Sequence, residues 1–486
     1  MATDVVASSS TVIAAGALVD GWRLHEQLHV GGMAQLWSVT REPGMPAPAT
    51  LAEGDVPALI MKIPRIKGGE DPASIVGFEV ERMILPTLRG RHVPRYIARG
   101  DFTQQPYLVM ERIDGASLEP RLLASPLAIH EVAELGARVA TALHEVHRQG
   151  LVHLDLKPAN VMLRSDGSAV LIDFGLSHHQ RLPDLLEEEF SFAVGTGPYM
   201  SPEQLQHQRH DPRSDLFALG VMLYHFTTGA RPFGAPDSVR GLRRRLYVDP
   251  IPPRVLRADC PPWLQELILT CLEVKPARRW QSAAQLVLAL QDPSQITLTS
   301  RALRLRRNGA FSRLTRWFAA IGGQAPDDKP VETTAHLAHN PILLAAVDVA
   351  HDSADFNDAL RETVRRVLRT MPHARLACVS VMKTARIAMD VLVDEQGQSH
   401  HVKQLIALKH WARPISKSLK PGDGRLTFHV LEAHDVASAI VEFAQRVHVD
   451  HIVMGAHGHS ALRRYLGSVS TQVVAQAACS VTVARR

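Results

Sequence analysis

Two short polar segments, HLDLKPAN around Asp155 and LIDFG around Asp173, constrain this chain more than any other feature of its sequence. The stretch between them, VMLRSDGSAVLI, has the pattern of two strands joined by a turn, which brings the two segments back together. In such an arrangement Asp155 can accept the proton of an attacking hydroxyl group, and Lys157 can reach a phosphate in transfer. Asn160 and Asp173 carry oxygen atoms of the kind that magnesium prefers. The set predicts phosphoryl-transfer chemistry.

The order and spacing of these residues resemble the catalytic loop and metal-binding motif of protein kinases, in particular the bacterial, eukaryotic-like serine/threonine kinases. A role for Asp155 and Asp173 as caps of helices or turns is the alternative, and it leaves the joint match unexplained. Lys157 marks the Ser/Thr branch, so the resemblance implies transfer of the ATP γ-phosphate to Ser or Thr hydroxyls, with Mg²⁺ or Mn²⁺. We expect residues 21–292 to form a bilobal α+β kinase fold, with a β-rich lobe before an α-rich lobe.

The resemblance also assigns residues to ATP. Lys62, at the end of the apolar run ALIM, matches the strand lysine that holds the α- and β-phosphates. Its expected ion-pair partner is Glu81 rather than Glu79, because leucines follow Glu81 at i+4 and i+7. Met110 and Glu111 match the gatekeeper and the first hinge residue beside the adenine, with ordinary strand core as the alternative.

Further along, GTGPYMSPE resembles the substrate-binding loop of the family. The resemblance implies that Thr196 hydrogen-bonds the catalytic aspartate and lysine. It also implies that Glu203 forms a buried ion pair with Arg279, which supports the architecture rather than the chemistry. Asp215 is expected to hold the backbone of the catalytic loop from the next helix.

Two departures from the family pattern affect the expected activity. The three-glycine pattern of the phosphate loop falls on His29, Gly31 and Ala34, so glycine remains only at the middle position, followed by Gly32. Glycine lets a backbone approach phosphates closely, so we expect a stiffer loop and weaker ATP binding. Leu154 stands where an arginine usually receives an activation-loop phosphate. We therefore expect a basal activity that does not require phosphorylation of that loop.

An acidic run, Glu187 to Glu189, lies in the expected activation segment. A solvated charged surface is the preferred interpretation of such a run. A built-in negative charge close to basic groups is the alternative.

The C-terminal part of the chain alternates strand and helix patterns, which is typical of a parallel α/β sheet. In it, MGAHGHSALRRYLGSVS follows a strand and precedes a helix, where backbone N–H groups can bind phosphate. Together with AAVDV, this segment resembles the universal stress protein family. The resemblance implies a doubly wound, Rossmann-like domain over residues 340–486.

Within that domain, Asp348 matches the acidic position near the nucleotide. The positions that match the nucleotide loop are Gly455, Gly458, Gly467 and Ser468. The loop is one residue shorter than in the members that bind ATP, so nucleotide binding and a role as a dimerisation or interaction module both stay open. The family also suggests a homodimer through the final strand, SVTVARR.

Composition limits the remaining possibilities. Lys plus Arg number 54 and Asp plus Glu 49, and the resulting net charge of +5 is too small to indicate a nucleic-acid-binding protein. Four scattered cysteines indicate reduced thiols in a cytoplasm. The uncharged run at residues 5–19 is shorter than a membrane span. We expect a tail over residues 1–20 and a basic, then Gly/Pro/Asp-rich linker over residues 293–339.

The sequence therefore predicts a cytoplasmic Ser/Thr kinase that acts on protein substrates and is regulated by its stress domain. One alternative is a kinase that mainly phosphorylates its own stress domain. A second is a pseudokinase scaffold, which the incomplete glycine loop suggests. The joint presence of Lys62, Asp155, Asn160 and Asp173 favours an enzyme, since a scaffold does not need a complete set for phosphoryl transfer.

Overall fold

The structure of the chain, a computed structural model, describes residues 13–46, 48, 50, 57–65, 72–100, 105–190, 195–236, 238–306, 341–349, 354–371, 373–384, 399–416, 425–456 and 468–484. Within these ranges, two large sheets are separated along the chain by a helical lobe. No helix in the same ranges is both long and apolar enough to cross a membrane.

The first sheet is antiparallel, with the strand order β1-β2-β3-β4-β6-β5. Apolar and polar residues alternate along β2 and β3, so one face buries Trp22, Leu24, Trp37 and Val39 in a core of its own. Helix α1 belongs to the larger core that continues into the second lobe. The elements are β1 (Leu18–Val19), β2 (Trp22–Val30), β3 (Ala34–Arg41), β4 (Leu59–Pro64), α1 (Pro72–Ile84), β5 (Tyr96–Arg99) and β6 (Leu108–Glu111).

Helices dominate the next 170 or so residues of the chain, as their spacing of apolar residues predicts. Helix α5 is buried along nearly its whole length and packs between α3 and α8. The helices are α2 (Glu119–Leu123), α3 (Ile129–Arg148), α4 (Leu185–Glu189), α5 (Arg213–Thr228), α6 (Val239–Arg243), α7 (Pro253–Leu256), α8 (Pro262–Cys271) and α9 (Ala283–Gln291). Short strands among them are β7 (Gly115–Ser117), β8 (Leu151–Val152), β9 (Val161–Arg164), β10 (Ala169–Leu171) and β11 (His178–His179).

The chain just after Asp292 packs onto this helical lobe. Gln265 Nε2 donates hydrogen bonds to the backbone oxygens of Arg301, Ala302 and Arg304 at 2.7, 3.1 and 2.9 Å. Glu266 accepts from the backbone N–H of Ala302 at 2.9 Å, and the Ala302 side chain is fully buried. The basic residues at the start of the predicted linker therefore act as part of the lobe surface.

The C-terminal sheet is parallel throughout, with the order β14-β13-β12-β15-β16. Helices α10 and α11 cover one face and α12 and α13 the other, each over a separate apolar core. The elements are β12 (Ile342–Ala346), α10 (Ala354–Thr370), β13 (Arg375–Lys383), α11 (His400–Ser416), β14 (Leu426–Ala433), α12 (Val436–Arg446), β15 (His451–Gly455), α13 (Ser468–Gln476) and β16 (Ser480–Ala484). The predicted fold class, a bilobal α+β unit followed by a doubly wound parallel α/β domain, is confirmed.

The two units share an apolar core where they meet. Val402 and Leu405 of α11 and Val430 of β14 belong to the same buried cluster as Leu185 and Leu186 of α4. Because burial of apolar surface is the main favourable term in association, this cluster holds the C-terminal domain against the helical lobe.

The acidic run of α4 lies partly inside this interface. The side chains of Glu188 and Glu189 are only 12% and 4% exposed, so the preferred interpretation of the run as a solvated surface is wrong for both. His429 of β14 lies between them, with Nδ1 3.2 Å from Glu189 Oε1 and Nε2 3.5 Å from Glu188 Oε2. Burial and the adjacent charge of Glu188 raise the pKa of Glu189.

A buried ion pair fastens the middle of the helical lobe. Arg279 Nη1 and Nη2 donate to Glu203 Oε1 and Oε2 at 2.6 Å each, and the two side chains are 0% and 3% exposed. Ser214 Oγ donates to Glu203 Oε1 at 2.6 Å, and Arg279 Nε to the backbone oxygen of Glu273 at 2.8 Å. Both charges are therefore saturated by partners inside the protein, which is the condition under which burial of an ion pair is tolerated.

We expect Arg279→Met to lower the free energy of unfolding by about 3–5 kcal/mol, because it leaves the Glu203 carboxylate buried and uncompensated. Urea unfolding followed by circular dichroism measures the loss. The matched control is Arg23→Met, since Arg23 pairs with Glu42 near the surface, with side chains 42% and 27% exposed. Its expected cost is much smaller, because solvent and salt screen an ion pair at the surface. Equal losses in the two variants would contradict this account of the buried pair.

The second prediction concerns pH and His429. Burial lowers the pKa of His429 well below its usual value, and the charges of Arg375 and Arg446 lower it further. In the unfolded chain the imidazole has an ordinary pKa of about 6.5. It therefore binds a proton there at a pH at which it stays neutral in the folded chain. Stability contributed by the neutral imidazole is thus present above about pH 6.5 and is lost as the pH falls toward the lowered value, by at most about 1.4 kcal/mol per pH unit.

Urea unfolding at pH 7.5, 6.5 and 5.5 measures this slope. His429→Gln keeps a polar side chain without the titration and is expected to lose less stability across the range. Burial also lowers the pKa values of other histidines, such as His179, His225 and His451, and these residues remain in both proteins. The contribution of His429 is therefore the difference between the two pH slopes of the unfolding free energy. Identical slopes would rule out His429 as a contributor.

Candidate functional site

Lys62 lies at the centre of the cleft between the two lobes, where it joins three elements. From β4 its Nζ donates to Glu81 Oε2 of α1 at 2.5 Å and to Asp173 Oδ1 at 3.0 Å. The Phe174 backbone N–H donates to the other oxygen of Glu81 at 3.3 Å. Glu79, the alternative partner considered from the sequence, points instead toward the C-terminal domain and contacts Lys409. The register of α1 thus brings Glu81, and not Glu79, to Lys62.

The charges at this junction stabilise one another. Burial alone would lower the pKa of Lys62, but the carboxylates of Asp173 and Glu81 outweigh it and raise this pKa. The charge of Lys62 lowers the pKa of Asp173 against the opposing effect of burial. Asp173 also has a φ of 66°, in the left-handed region that non-glycine residues rarely adopt. Such strain is maintained only where surrounding contacts enforce it, and it turns the carboxylate toward Lys62.

Asp155 is the most heavily hydrogen-bonded side chain of the loop between β8 and β9. Its Oδ2 accepts from Lys157 Nζ at 2.7 Å and from Asn160 Nδ2 at 3.0 Å. Its Oδ1 accepts from Thr196 Oγ1 at 2.6 Å and from the Thr196 backbone N–H at 3.1 Å. Lys157 Nζ also donates to Thr196 Oγ1 at 2.9 Å. The structure thus brings three of the predicted residues together around the buried carboxylate of a fourth, Asp155.

Asp215 of α5 holds the backbone in front of Asp155. It accepts hydrogen bonds from the backbone N–H groups of His153 and Leu154, both at 2.8 Å, and its Oδ2 lies 2.9 Å from His147 Nε2. Leu154 has a φ of 63°, and its buried side chain brings no charge to this position. Gln204 Nε2 donates to the Leu154 backbone oxygen at 2.7 Å. The unusual backbone of the loop is therefore fixed from both sides.

The loop between β2 and β3 is the predicted phosphate cover. Gly31 and Gly32 lie at its tip, and the Gly31 N–H donates to the Ala34 backbone oxygen at 2.9 Å. The His29 ring lies near Gly31, with its Nε2 3.4 Å from the point that a Cβ at Gly31 would occupy. Arg65 Nη1 donates to the Gly31 backbone oxygen at 3.1 Å. The bulkier loop that His29 predicts is thus tied down by side-chain contacts.

Met110 and Glu111 end β6 at the back of the same cleft. Met110 is buried, and β6 pairs with both β4 and β5 at this point. The Glu111 carboxylate accepts from Arg164 Nη1 at 2.5 Å and from the Arg95 backbone N–H at 3.1 Å. These contacts hold the side chain of Glu111 and leave the hinge assignment of both residues a prediction.

Arg245 supports the predicted substrate-binding loop, and sequence reasoning missed it. Its side chain is buried, and it donates to the backbone oxygens of Gly197, at 2.8 Å, and of Met200. Burial lowers the pKa of Arg245 to about 10. The residue is one of three consecutive arginines, and nothing in that run distinguishes the buried one from its neighbours.

The C-terminal candidate site lies at the carboxyl ends of β12 and β15. These central strands are adjacent, and the chain continues from them toward opposite edges of the sheet, which makes this end the usual ligand-binding position in such folds. Asp348, just after β12, is exposed, and Gly455 ends β15. Ser468 begins α13 and is exposed, whereas Gly458 and Gly467 lie outside the described residues.

Gly455 has a structural reason of its own for lacking a side chain. A Cβ at this position would lie 1.8 Å from Cζ of Phe356, which packs from α10. The group that needs a residue without a side chain at position 455 is therefore the Phe356 ring. Nucleotide binding at this loop stays a prediction.

Two regions of the chain match known family models. Residues 67–289 match the family model of the protein kinase domain, and residues 340–485 match that of the universal stress protein family. The serine/threonine-protein kinase PknB of Mycolicibacterium smegmatis is 34% identical over 37% of this chain and 29% of its own length. PknL of Mycobacterium bovis is 30% identical over 46% of this chain and 56% of its own length.

The chain therefore spans about a third to a half of the length of these curated relatives. Among solved structures, the kinase domain of Mycobacterium tuberculosis PknI, as a C20A_R136A double mutant, aligns with 60% of this chain and 99% of its own. The TM-score is 0.43 and the sequence identity 23%.

The packing at Gly455 leads to a stability prediction. We expect Gly455→Ala to destabilise the protein by about 1–3 kcal/mol, because the added methyl group forces the Phe356 ring out of its position. Urea unfolding measures the loss, and a double-mutant cycle with Phe356→Ala isolates its cause. Once the ring is absent, the added methyl group has room, so the two changes should cost less together than the sum of the single changes. Strict additivity would show that the ring is not the obstacle.

Proposed function

The chain carries a protein kinase domain followed by a universal stress protein domain, and we propose that it is an ATP-dependent serine/threonine protein kinase. The observation that carries the proposal is the joint arrangement of two groups. One is Lys62 between Glu81 and Asp173, and the other is Asp155 among Lys157, Asn160 and Thr196. Phosphoryl transfer depends mainly on positioning and on electrostatic stabilisation, and these two groups provide both.

Asp155 is the proposed acceptor of the proton from the substrate hydroxyl. A Ser or Thr hydroxyl that approaches Oδ1 or Oδ2 is oriented for attack in line with the leaving group. Lys157, already 2.7 Å from Asp155, is positioned to balance negative charge on the transferring phosphate. Thr196 connects the activation segment to both residues, so the order of that segment and the order of the catalytic loop depend on each other.

The residues fit a divalent cation and ATP. Asn160 uses its amide nitrogen toward Asp155, which leaves its oxygen for a metal ion, and the Asp173 side chain is 42% exposed toward the cleft. Oxygen donors of this kind suit Mg²⁺, or Mn²⁺ in its place. Bound magnesium would neutralise charge on the β- and γ-phosphates. Lys62 is placed to hold the α- and β-phosphates, beneath the loop of Gly31 and Gly32, and Met110 and Glu111 to flank the adenine.

The partners we propose are protein substrates that present Ser or Thr, including this chain itself. Homodimerisation through β16, one of the two edge strands of the described C-terminal sheet, stays a prediction, as does the absence of nucleic-acid partners. Three other expectations from the sequence also stay predictions. They are nucleotide binding at Asp348 and Gly455, the cytoplasmic location and the domain limits.

Transfer of the γ-phosphate from radiolabelled ATP by the purified full chain tests the proposal, with Mg²⁺ and with or without a generic protein acceptor. We expect Asp155→Asn to lose about 10²- to 10⁴-fold in rate, because it removes the group that takes the proton, while ATP binding persists. Phosphoamino-acid analysis should give phosphoserine or phosphothreonine only.

The matched control is Asp166→Asn, in the exposed turn between β9 and β10, which should leave the rate unchanged. Equal rates for Asp155→Asn and the unmodified protein would contradict the assignment. ATP binding without transfer by the unmodified protein would favour the scaffold that the incomplete glycine loop suggests.

A further inference from the structure

The glutamates of α4 contact two different domains. This short helix lies in the activation segment between Asp173 and Thr196, and Asp184 caps it by accepting the Glu187 N–H at 3.2 Å. Glu187 turns toward His210 of the helical lobe, at 3.3 Å. Glu188 and Glu189 turn the other way, into the C-terminal domain. The activation segment is therefore held between the two domains through its own carboxylates.

The strongest of these contacts joins Glu188 to Arg375, the first residue of β13. Arg375 Nη1 and Nη2 donate to Glu188 Oε1 and Oε2 at 2.6 and 2.5 Å, and each side chain is about 12% exposed. Thr427 Oγ1 accepts from the Arg375 guanidinium at 3.0 Å and keeps it oriented. Two parallel charge-assisted bonds with little solvent access are both directional and strong.

A second contact reaches α1, two residues from the partner of Lys62. Lys409 of α11 donates from Nζ to Glu79 Oε2 at 2.9 Å, and Arg82 of α1 contacts the other oxygen of Glu79. Burial opposes the ionised form, but the charges of Arg82 and Lys409 lower the pKa of Glu79 to about 2. The C-terminal domain thus forms an ion pair with α1, and the position of α1 determines whether Glu81 reaches Lys62.

The position before Asp155 shows what these contacts replace. Leu154 is buried and apolar, so this position has no cationic group to order the activation segment through a phosphate. Glu188 is an encoded negative charge on the same segment, and its cation, Arg375, comes from the other domain. The charge-assisted bond is therefore available without any covalent modification of the chain.

We propose that Arg375 and Lys409 are positioning residues for phosphoryl transfer, through which the C-terminal domain clamps α4 and α1 in the catalytic arrangement. The inference rests on the proposed kinase function. It adds the direction of regulation: contact between the domains supports activity, and separation of the domains lowers it. The apolar cluster of Val402, Leu405 and Val430 against α4 supplies the affinity, and the two ion pairs set the orientation.

Charge exchange in the full chain tests the clamp. Arg375→Glu and Glu188→Arg each place like charges in contact, and we expect each to lower kcat/KM for transfer about tenfold, within the range usual for coupling between sites. The double variant restores the ion pair in reversed order and should recover to within about threefold of the unmodified protein, which loss of folding would not do. Lys409→Glu, which places a second carboxylate beside Glu79, tests the other contact and should also lower the rate.

The matched control is Arg366→Glu on α10. Arg366 is 74% exposed and contacts only Glu362 of the same helix among the described ion pairs, so its charge reversal should leave the rate unchanged. A variant that fails to fold is recognised by circular dichroism, and the reciprocal variant on the other domain then carries the test.

Amide hydrogen exchange gives a readout that is independent of activity. We expect the single variants to lose protection in α4, α1 and α11, and the double variant to regain it. An inactive unmodified protein would defeat the proposed kinase function, while the exchange data would still test the contact. Single variants that lose protection yet transfer phosphate as fast as the unmodified protein, or faster, would overturn the clamp.

Discussion

The arrangement of the cleft depends on the shared charge of Lys62. Its ammonium group donates hydrogen bonds to two carboxylates from separate elements, Glu81 of α1 and Asp173 of the segment after β10. Because the Lys62 and Glu81 side chains are only 18% and 2% exposed, water screens their attraction little, and displacement of Glu81 leaves an uncompensated charge. The Asp173 side chain is 42% exposed, so its attraction to Lys62 is screened more. The position of α1 and the conformation of the chain at Asp173 are therefore linked through a single side chain. Anything that moves α1 changes the site.

The predicted activation segment is also held by charged groups, at a greater distance from Lys62. Thr196 fixes its end to Asp155 and Lys157, and α4 fixes its middle through Asp184 on one side and Glu188 on the other. Asp184 accepts from Arg209 Nε at 2.7 Å within the helical lobe. The segment is thus held by one contact within the helical lobe, between Asp184 and Arg209, and by one contact with the C-terminal domain, between Glu188 and Arg375. Of these two, only the contact of Glu188 with Arg375 depends on the C-terminal domain, so the proposed regulation acts through that contact.

Local patterns in the sequence predict most of the residues of the proposed catalytic site. Asp155, Lys157, Asn160 and Asp173 lie within 19 residues of one another and carry a recognisable order. Leu85 and Leu88, just after the end of α1, indicate the register that selects Glu81. The contacts that sequence reasoning missed lie far apart. Arg375 is 187 residues from Glu188, and Lys409 is 330 residues from Glu79. Periodicity reports which face of an element is buried, but it carries no information on which distant charge will meet it.

The geometry of the C-terminal sheet limits how a ligand there could act on the kinase domain. Arg375 lies opposite Ile342 at the amino ends of the parallel strands, whereas Asp348 and Gly455 lie at the carboxyl ends. From Ile342 to Ala346, β12 rises four residues, or about 13 Å at ~3.3 Å per residue. A ligand at the carboxyl ends is therefore too far from Glu188 to touch it. Its effect on the clamp must pass through displacement of a strand or of α11, and its size is limited by the difference in its affinity for the docked and separated states.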